Sequence, residues 1–328
     1  MSLRYAARTR PGTMVSTWLN GLVSGTAAVP GGYFAGGYST NTDAIIKFAF
    51  PDDTRTTLAA TLTETSYGGF GFGNAGVAGY CAGGYGVTSG AALASVDKIA
   101  WPLDSKSTLG TGLAAAKYYG TGGFSNSGTA GYAAGGYTAS AITDSVDKFA
   151  YSDDSRTTLS SGLATATYLG GTFANSGTAG YFGGGNTGSY ATAVYKWAFS
   201  DDSRTTLGTG LDVAITYLTQ GMGNSGVAGY FPGGYRADAP YVISAARKLT
   251  FSTDGIATVA GVLSVAGYGC SAFANSGTAG YVGGGNRSGS SAVVDKLTFS
   301  TDSSSALGTG LVTATQVMCG FANESTLV

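Results

Sequence analysis

Among the residue types that could carry chemistry in this chain of 328 residues, the most telling is missing: there is no histidine. A Ser-His-Asp or Cys-His relay needs an imidazole to move the proton, and a catalytic zinc or copper centre takes imidazole as its commonest ligand. Paired carboxylates do occur, at Asp52-Asp53, Asp153-Asp154 and Asp201-Asp202, and two carboxyls flanking a sugar could cleave a glycosidic bond. Adjacent acids on an exposed hairpin are solvated instead, so no catalytic residue is expected. The glycine runs lack the strand-loop-helix setting and the following lysine of a phosphate-cradling loop. Cys81, Cys270 and Cys319 are odd in number and lie in apolar stretches of separate segments. That pattern reads as buried free thiols in a reducing compartment rather than as a disulfide framework or a metal site. No metal, no cofactor and no enzymatic activity are expected.

The acid pairs belong to the phrase Ser-Asp-Asp-Ser-Arg-Thr-Thr, at Ser152 to Thr158 and Ser200 to Thr206, with relatives at Pro51 to Thr57 and Ser252 to Thr258. It resembles the Asp-box of sialidases, Ser-X-Asp-X-Gly-X-Thr-Trp, but Arg156 and Arg204 stand at the glycine position, and Leu159 and Leu207 at the tryptophan. An Asp-box is a turn staple whose carboxylate and hydroxyls accept backbone N–H groups. A structural turn is the expected role.

These phrases recur because the chain is built from a repeat. A Gly-Tyr-X-X-Gly-Gly stamp places tyrosines at Tyr33, Tyr80, Tyr132, Tyr181, Tyr230 and Tyr281, in steps of 47, 52, 49, 49 and 51 residues. Within one unit, "YLGGTFANSG" reads as a short strand ending in a tight Asn-Ser-Gly turn, "TAGYFGGG" as its partner, "AVYKWAFSDD" as a third strand with period-two alternation, and "LGTGLDVAIT" as a fourth. No long stretch keeps a 3.6-residue apolar period. The predicted fold is therefore all-β: a six-bladed β-propeller over residues 27–328, four antiparallel strands per blade. The final segment "VMCGFANES" has no partner after it, and "GGYFAGGY" none before it. The C-terminal strand is thus expected to close the ring; the alternative uses "TWLNGLVSG" as the missing strand.

In such a blade the Asn-Ser-Gly and Asp-Asp-Ser-Arg turns share one face and are monotonous. The loops on the other face vary, as in "GVTSGAALAS", "NTGSYAT", "RADAPYVIS" and "NRSGSSA". Loops freed from a scaffolding role are where binding can be written. The binding candidates are Asn186, Tyr190, Arg236, Asp238, Tyr241 and Arg287, aromatic platforms with amide and charged neighbours that suit a glycan or protein partner. Residues 1–26 are left over as an N-terminal arm, with Arg4, Tyr5, Arg8, Arg10 and Trp18 as docking contacts. Its apolar stretch is interrupted by Ser16, Thr17, Asn20 and Gly21, so no cleaved secretory signal is expected.

Composition is consistent with a folded core: 56 glycines, yet 43% apolar residues with 21 Tyr and 15 Phe. Seventeen basic residues face 18 acidic ones, so neither nucleic acid nor an anionic membrane is an expected partner. No segment approaches the ~20 apolar residues of a membrane-spanning helix.

The repeat resembles the kelch repeat, a four-stranded propeller blade with a Gly-Gly pair ending its second strand. The pairs here are Gly36-Gly37, Gly83-Gly84, Gly135-Gly136, Gly184-Gly185, Gly233-Gly234 and Gly284-Gly285. Tyr38, Tyr85, Tyr137 and Tyr235 fit the aromatic that follows the pair; Asn186 and Asn286 depart from it, and Leu58, Leu159 and Leu207 replace the kelch tryptophan. With "NSGTAGYFGGG", "VDKFAYSDDS" and "TLGTGL", the chain is similar to Gly/Tyr-rich kelch-like proteins of tailed bacteriophages. That resemblance implies a non-enzymatic virion component, tail- or capsid-associated and present in multiple copies, which docks on other virion proteins through the arm and recognises a host-surface glycan or protein. A free, secreted lectin-like propeller is the alternative, and a glycosidase-like enzyme ranks below it.

Overall fold

The computed structural model describes residues 29–120, 122–218 and 220–323. Among them there is no helix, and the strands form a propeller-like set of four-stranded antiparallel sheets. Sheet I pairs Cys319–Asn323, Gly31–Ala35, Ala44–Ala49 and Arg55–Thr61 in that order. Sheets II to VI follow along the chain over residues 70–108, 123–158, 171–206, 222–259 and 271–306. In sheet IV the fourth strand is not the expected "LGTGLDVAIT" but Arg204–Thr206, because the tight Asp201-Asp202 turn returns the chain at once to pair Arg204 with Trp197. The last strand is thus antiparallel to the first described one, with Phe321 opposite Tyr33. The alternative strand, residues 17–25, lies outside the described residues, as do all five docking residues of the arm.

Burial follows strand position. The second strand of each sheet is buried at every residue, whereas the fourth is largely exposed, as at Arg55–Thr61. Second strands can be this enclosed because of the glycine before each stamp tyrosine. The first-strand aromatic of the preceding sheet lies on that glycine: a Cβ on Gly180 would meet the Phe124 ring at 2.1 Å, one on Gly131 would meet Phe72 at 2.1 Å, and one on Gly32 would meet Phe273 at 1.9 Å. Met222 takes the same place over Gly280. Adjacent sheets interlock through a missing side chain.

The stamp tyrosine itself ties sheets together. Tyr132 Oη donates to Asp202 Oδ1 at 2.8 Å, and Lys148 Nζ, from the third strand of the same sheet, donates to Asp202 Oδ2 at 2.6 Å. Asp202 belongs to the turn before the fourth strand of the next sheet. The same triad recurs at Tyr33-Lys47-Asp104, Tyr80-Lys98-Asp154, Tyr181-Lys196-Asp254 and Tyr230-Lys248-Asp302. It recurs again at Tyr281-Lys296-Asp53, which leads from sheet VI back to sheet I. Each acceptor aspartate sits at positive φ, between 51° and 60°, a conformation aspartate tolerates better than most residues.

The Asp-Asp pairs therefore divide their work. Asp52, Asp153 and Asp201 accept the N–H two residues on, the expected turn staple, while the second aspartate crosses to the neighbouring sheet. The Asn-Ser-Gly turns also do more than turn. Asn74 Oδ1 accepts from Gly128 N at 2.9 Å, Asn126 from Gly177, Asn175 from Gly226, Asn224 from Gly277, and Asn323 from Gly76. Each asparagine fills a donor in the turn of the next sheet.

The cysteines require a correction. Cys270 is a buried free thiol whose pKa is pushed up to about 11 by desolvation, but Cys81 and Cys319 form a disulfide across 238 residues of sequence. The pair was invisible in the sequence because the two cysteines meet only when the C-terminal strand lies in sheet I, beside the second strand of sheet II. In a chain-entropy account so long a loop stabilises by on the order of 5 kcal/mol, and such a bond persists in oxidising surroundings.

Two outcomes test these ties. Gly180→Ala, which drives a methyl into Phe124, is expected to cost about 1–3 kcal/mol and lower the melting temperature, whereas Gly208→Ala, with open space around it, leaves the melt unchanged. The six stamp phenols are raised above their ordinary value of 10.0, first by burial and then by the partner aspartate. Their contribution is complete below pH ~10 and declines above it, because the unfolded chain then releases protons the folded one retains. Thermal stability should fall with rising pH beyond that point, and Tyr132→Phe should make the slope shallower.

Candidate functional site

The loops and links on one side of the sheets converge on a cavity of about 470 Å3 lined by Tyr38, Tyr67, Tyr119, Tyr190, Tyr217, Tyr235, Tyr268, Asn286, Gln316 and Val317. Two repeated positions supply most of this wall. One is the residue after each Gly-Gly pair, the other the link leading into each first strand, and the two meet in short antiparallel bridges: Tyr38 with Gln316, Tyr67 with Tyr85, Tyr118 with Tyr137, Tyr168 with Asn186, Thr216 with Tyr235, and Tyr268 with Asn286. The Gly-Gly pair makes the approach possible, since both its glycines take positive φ in every repeat.

The tyrosines touch one another at varied angles. Tyr38 and Tyr67 have ring centroids 5.0 Å apart, Tyr217 and Tyr268 are 5.5 Å apart, and Tyr235 and Tyr268 are 5.4 Å apart, all edge-to-face. Such packing holds the rings in place. Burial raises the Tyr67, Tyr119 and Tyr217 phenols, with neighbouring tyrosines adding to the effect at Tyr119 and Tyr217; these groups are neutral donors at physiological pH. Among the described residues, the hydroxyls of Tyr38, Tyr190, Tyr217, Tyr235 and Tyr268 make no hydrogen bond to protein, unlike Tyr85, which donates to the Gly90 carbonyl.

At the base of the wall the backbone is held in an unusual state. Gly68, Tyr119, Leu169, Tyr217, Gly269 and Val317 all have φ between 48° and 70°. Their amides and carbonyls run from link to link: Gly68 N donates to Val317 O, Val317 N to Gly269 O, Gly269 N to Tyr217 O, and Leu169 N to Tyr119 O, at 2.7–3.1 Å. Left-handed backbone is costly for a β-branched residue such as Val317, and strain of this kind persists where surrounding structure enforces it. Elsewhere, along the first strands, Gln220 of the link into sheet V bonds to two other sheets, its Nε2 donating to Gly71 O of sheet II and its Oε1 accepting from Gly320 N of sheet I, each at 2.9 Å.

The sequence-derived candidates fall into three groups. Tyr190 lines the cavity, Tyr241 is exposed and stacks on Tyr235, and Asn186 bridges Tyr168 to Tyr190 through its backbone while its side chain accepts from Gly188 N. Arg236 and Asp238 pair with each other on the outer loop, at 2.9 Å. Arg287 turns inward: it is buried, ion-paired to Asp295 and donates to the Gly284 carbonyl, so it belongs to the interior of sheet VI and not to the loop surface expected for it. The expectation failed because a buried Asp295 on the strand that this loop leads into needs a counter-charge, and Arg287 is within reach.

Sequence reasoning passed over Tyr67, Tyr119, Tyr217, Tyr268 and Tyr38 as site residues. Their signal was present, since a tyrosine recurs before the first strand and another after the Gly-Gly pair, but only the assembled sheets bring the two sets together. No protein-family model matches the chain, and no curated protein matches it either.

The inward placement of Arg287 has a measurable consequence. Arg287→Ala strands the buried Asp295 carboxylate and is expected to cost about 3–5 kcal/mol, read as a large drop in denaturation midpoint. Arg236→Ala, which releases an exposed pair, should change stability by less than about 1 kcal/mol.

Proposed function

We propose that the chain is a six-bladed kelch-like propeller, closed by its C-terminal strand, that acts as a non-enzymatic recognition module of a larger assembly. The closure is supported by the succession of triads that returns from sheet VI to Asp53 in sheet I, and by the pairing of the two terminal strands. The single observation that carries the recognition role is the tyrosine-lined cavity. It is made from loop and link residues whose side chains take no part in the Tyr-Lys-Asp ties between blades, and the hydroxyls of Tyr38, Tyr190, Tyr217, Tyr235 and Tyr268 are left with free hydrogen-bonding capacity. No carboxylate is among its lining residues, so the acid and base that glycoside hydrolysis requires are not at hand there.

The assembly we propose is a bacteriophage particle, on the resemblance of the repeat to phage virion and tail proteins. Residues 1–26 would dock the propeller on a neighbouring virion protein, leaving the cavity to face the host surface. The Cys81–Cys319 bond suits a protein that works outside the reducing cytoplasm, as a released particle does. A free lectin-like propeller is the second reading, favoured by one feature: the cavity is complete within a single chain.

Removal of residues 1–22 separates the two. The truncated chain is expected to melt like the full one yet fail to co-sediment with the particle, while a truncated chain that still joins the particle defeats the docking role.

A further inference from the structure

The geometry points to an uncharged saccharide as the ligand of the tyrosine-lined cavity, its pyranose rings lying on phenol faces and its hydroxyls bonding to phenol and amide groups of the wall. The inference rests on the recognition reading above and assigns the ligand class for that same site. Charge is the first argument. The lining consists of tyrosines, Asn286, Gln316 and Val317, with no lysine or arginine to neutralise a sialic acid, sulfate or phosphate, and no carboxylate to neutralise a cation. An ion entering would lose hydration with no opposite charge to offset the loss.

Hydrogen-bonding capacity is the second. Sugar hydroxyls both donate and accept, and so do the phenols of Tyr190, Tyr217, Tyr235 and Tyr268, which have no protein partner among the described residues. The amide of Gln316 offers both functions as well, and that of Asn286, whose Oδ1 already accepts from Gly289 N, adds its two N–H donors. A quaternary ammonium group, the other ligand that aromatic cages favour, would use the ring faces but leave these polar groups unpaired.

Shape and rigidity complete the case. The C–H hydrogens on one face of a pyranose carry slight positive charge and meet the negative face of an aromatic ring. A volume of about 470 Å3 falls within the roughly 300–1,000 Å3 of small-ligand sites, room for more than one sugar ring. The edge-to-face packing of Tyr217 and Tyr235 on Tyr268, and the left-handed backbone at Tyr119 and Tyr217, fix the rings before a ligand arrives. Little ordering is then left to oppose binding.

The test uses the full-length chain against an array of neutral, sialylated and sulfated glycans, with choline as a soluble competitor, followed by calorimetry on the neutral glycan bound. Binding is expected for neutral glycans alone, with an affinity that changes less than about twofold when salt rises tenfold, since no ion pair is screened. Tyr190→Ala and Tyr268→Ala should each weaken binding at least tenfold. Tyr217→Phe, which keeps the ring and the fold, should weaken it severalfold, and thermal melts of all three variants identify any that fail to fold. Binding only to sialylated or sulfated glycans, or displacement by choline, overturns the ligand class while leaving a recognition module. Neutral glycan binding that survives folded Tyr190→Ala and Tyr268→Ala variants overturns the assignment to this cavity. Absence of binding to every probe overturns the inference, and cleavage of a bound glycan overturns the non-enzymatic reading beneath it.

Discussion

The contact on which the architecture depends is the one between a stamp tyrosine, a third-strand lysine and an aspartate of the adjoining sheet. Each member is useful only because of the other two. The lysine lies over the tyrosine ring, with Nζ 5.3–5.6 Å from its centroid, and reaches one carboxylate oxygen while the phenol occupies the other, Lys196 at Asp254 reaching both. A largely buried carboxylate acquires a charge partner and a hydrogen bond at once, which is the condition under which burying it is tolerable. The aspartate must come from the neighbouring sheet, so every triad is also a statement about which sheets are adjacent.

That constraint accounts for most of the repetition in the chain. The glycine before the tyrosine makes room for a neighbour's Phe or Met, the tyrosine and lysine hold a neighbour's aspartate, and the asparagine of the turn fills a neighbour's amide. Repetition of the phrase is repetition of an interface. What is left over is the opposite side, where the Gly-Gly pairs fold back onto the links and present tyrosines, Tyr38, Tyr190, Tyr217, Tyr235 and Tyr268 among them, whose hydroxyls bond to no other described residue. The cavity there is polar, neutral and aromatic, and its base is held by left-handed residues whose amides bond from one link to the next.

Several particulars show how far a linear reading reaches. The stamp tyrosines, the first three strands of a unit, the pairing of the last strand with the earliest one and the two faces of the sheets were legible, because strand alternation and turn chemistry are local; the fourth strand was not, lying at Arg204–Thr206 within what reads as the turn. Tyr190 was singled out from its loop and does line the cavity. Arg287 stood in the same kind of loop and turned inward, because its fate depended on Asp295, eight residues on in the following strand. The tyrosines of the links were visible as a repeated position yet passed over, since each looks like an ordinary strand-leading aromatic until its counterparts from other repeats stand beside it.

The sequence by itself determined the all-β class, the unit length and the residues shared by every unit, since backbone preference and side-chain alternation act over a few neighbours. Only the tertiary structure decided what those shared residues hold. Tyr132 and Asp202 are 70 residues apart, and Cys81 and Cys319 are separated by 238. Nothing in the order of residues says which distant groups will meet, because that choice is made when glycine-faced sheets pack and bring them within bonding distance. The cavity has the same origin: it belongs to no single repeat and exists because links from several of them converge.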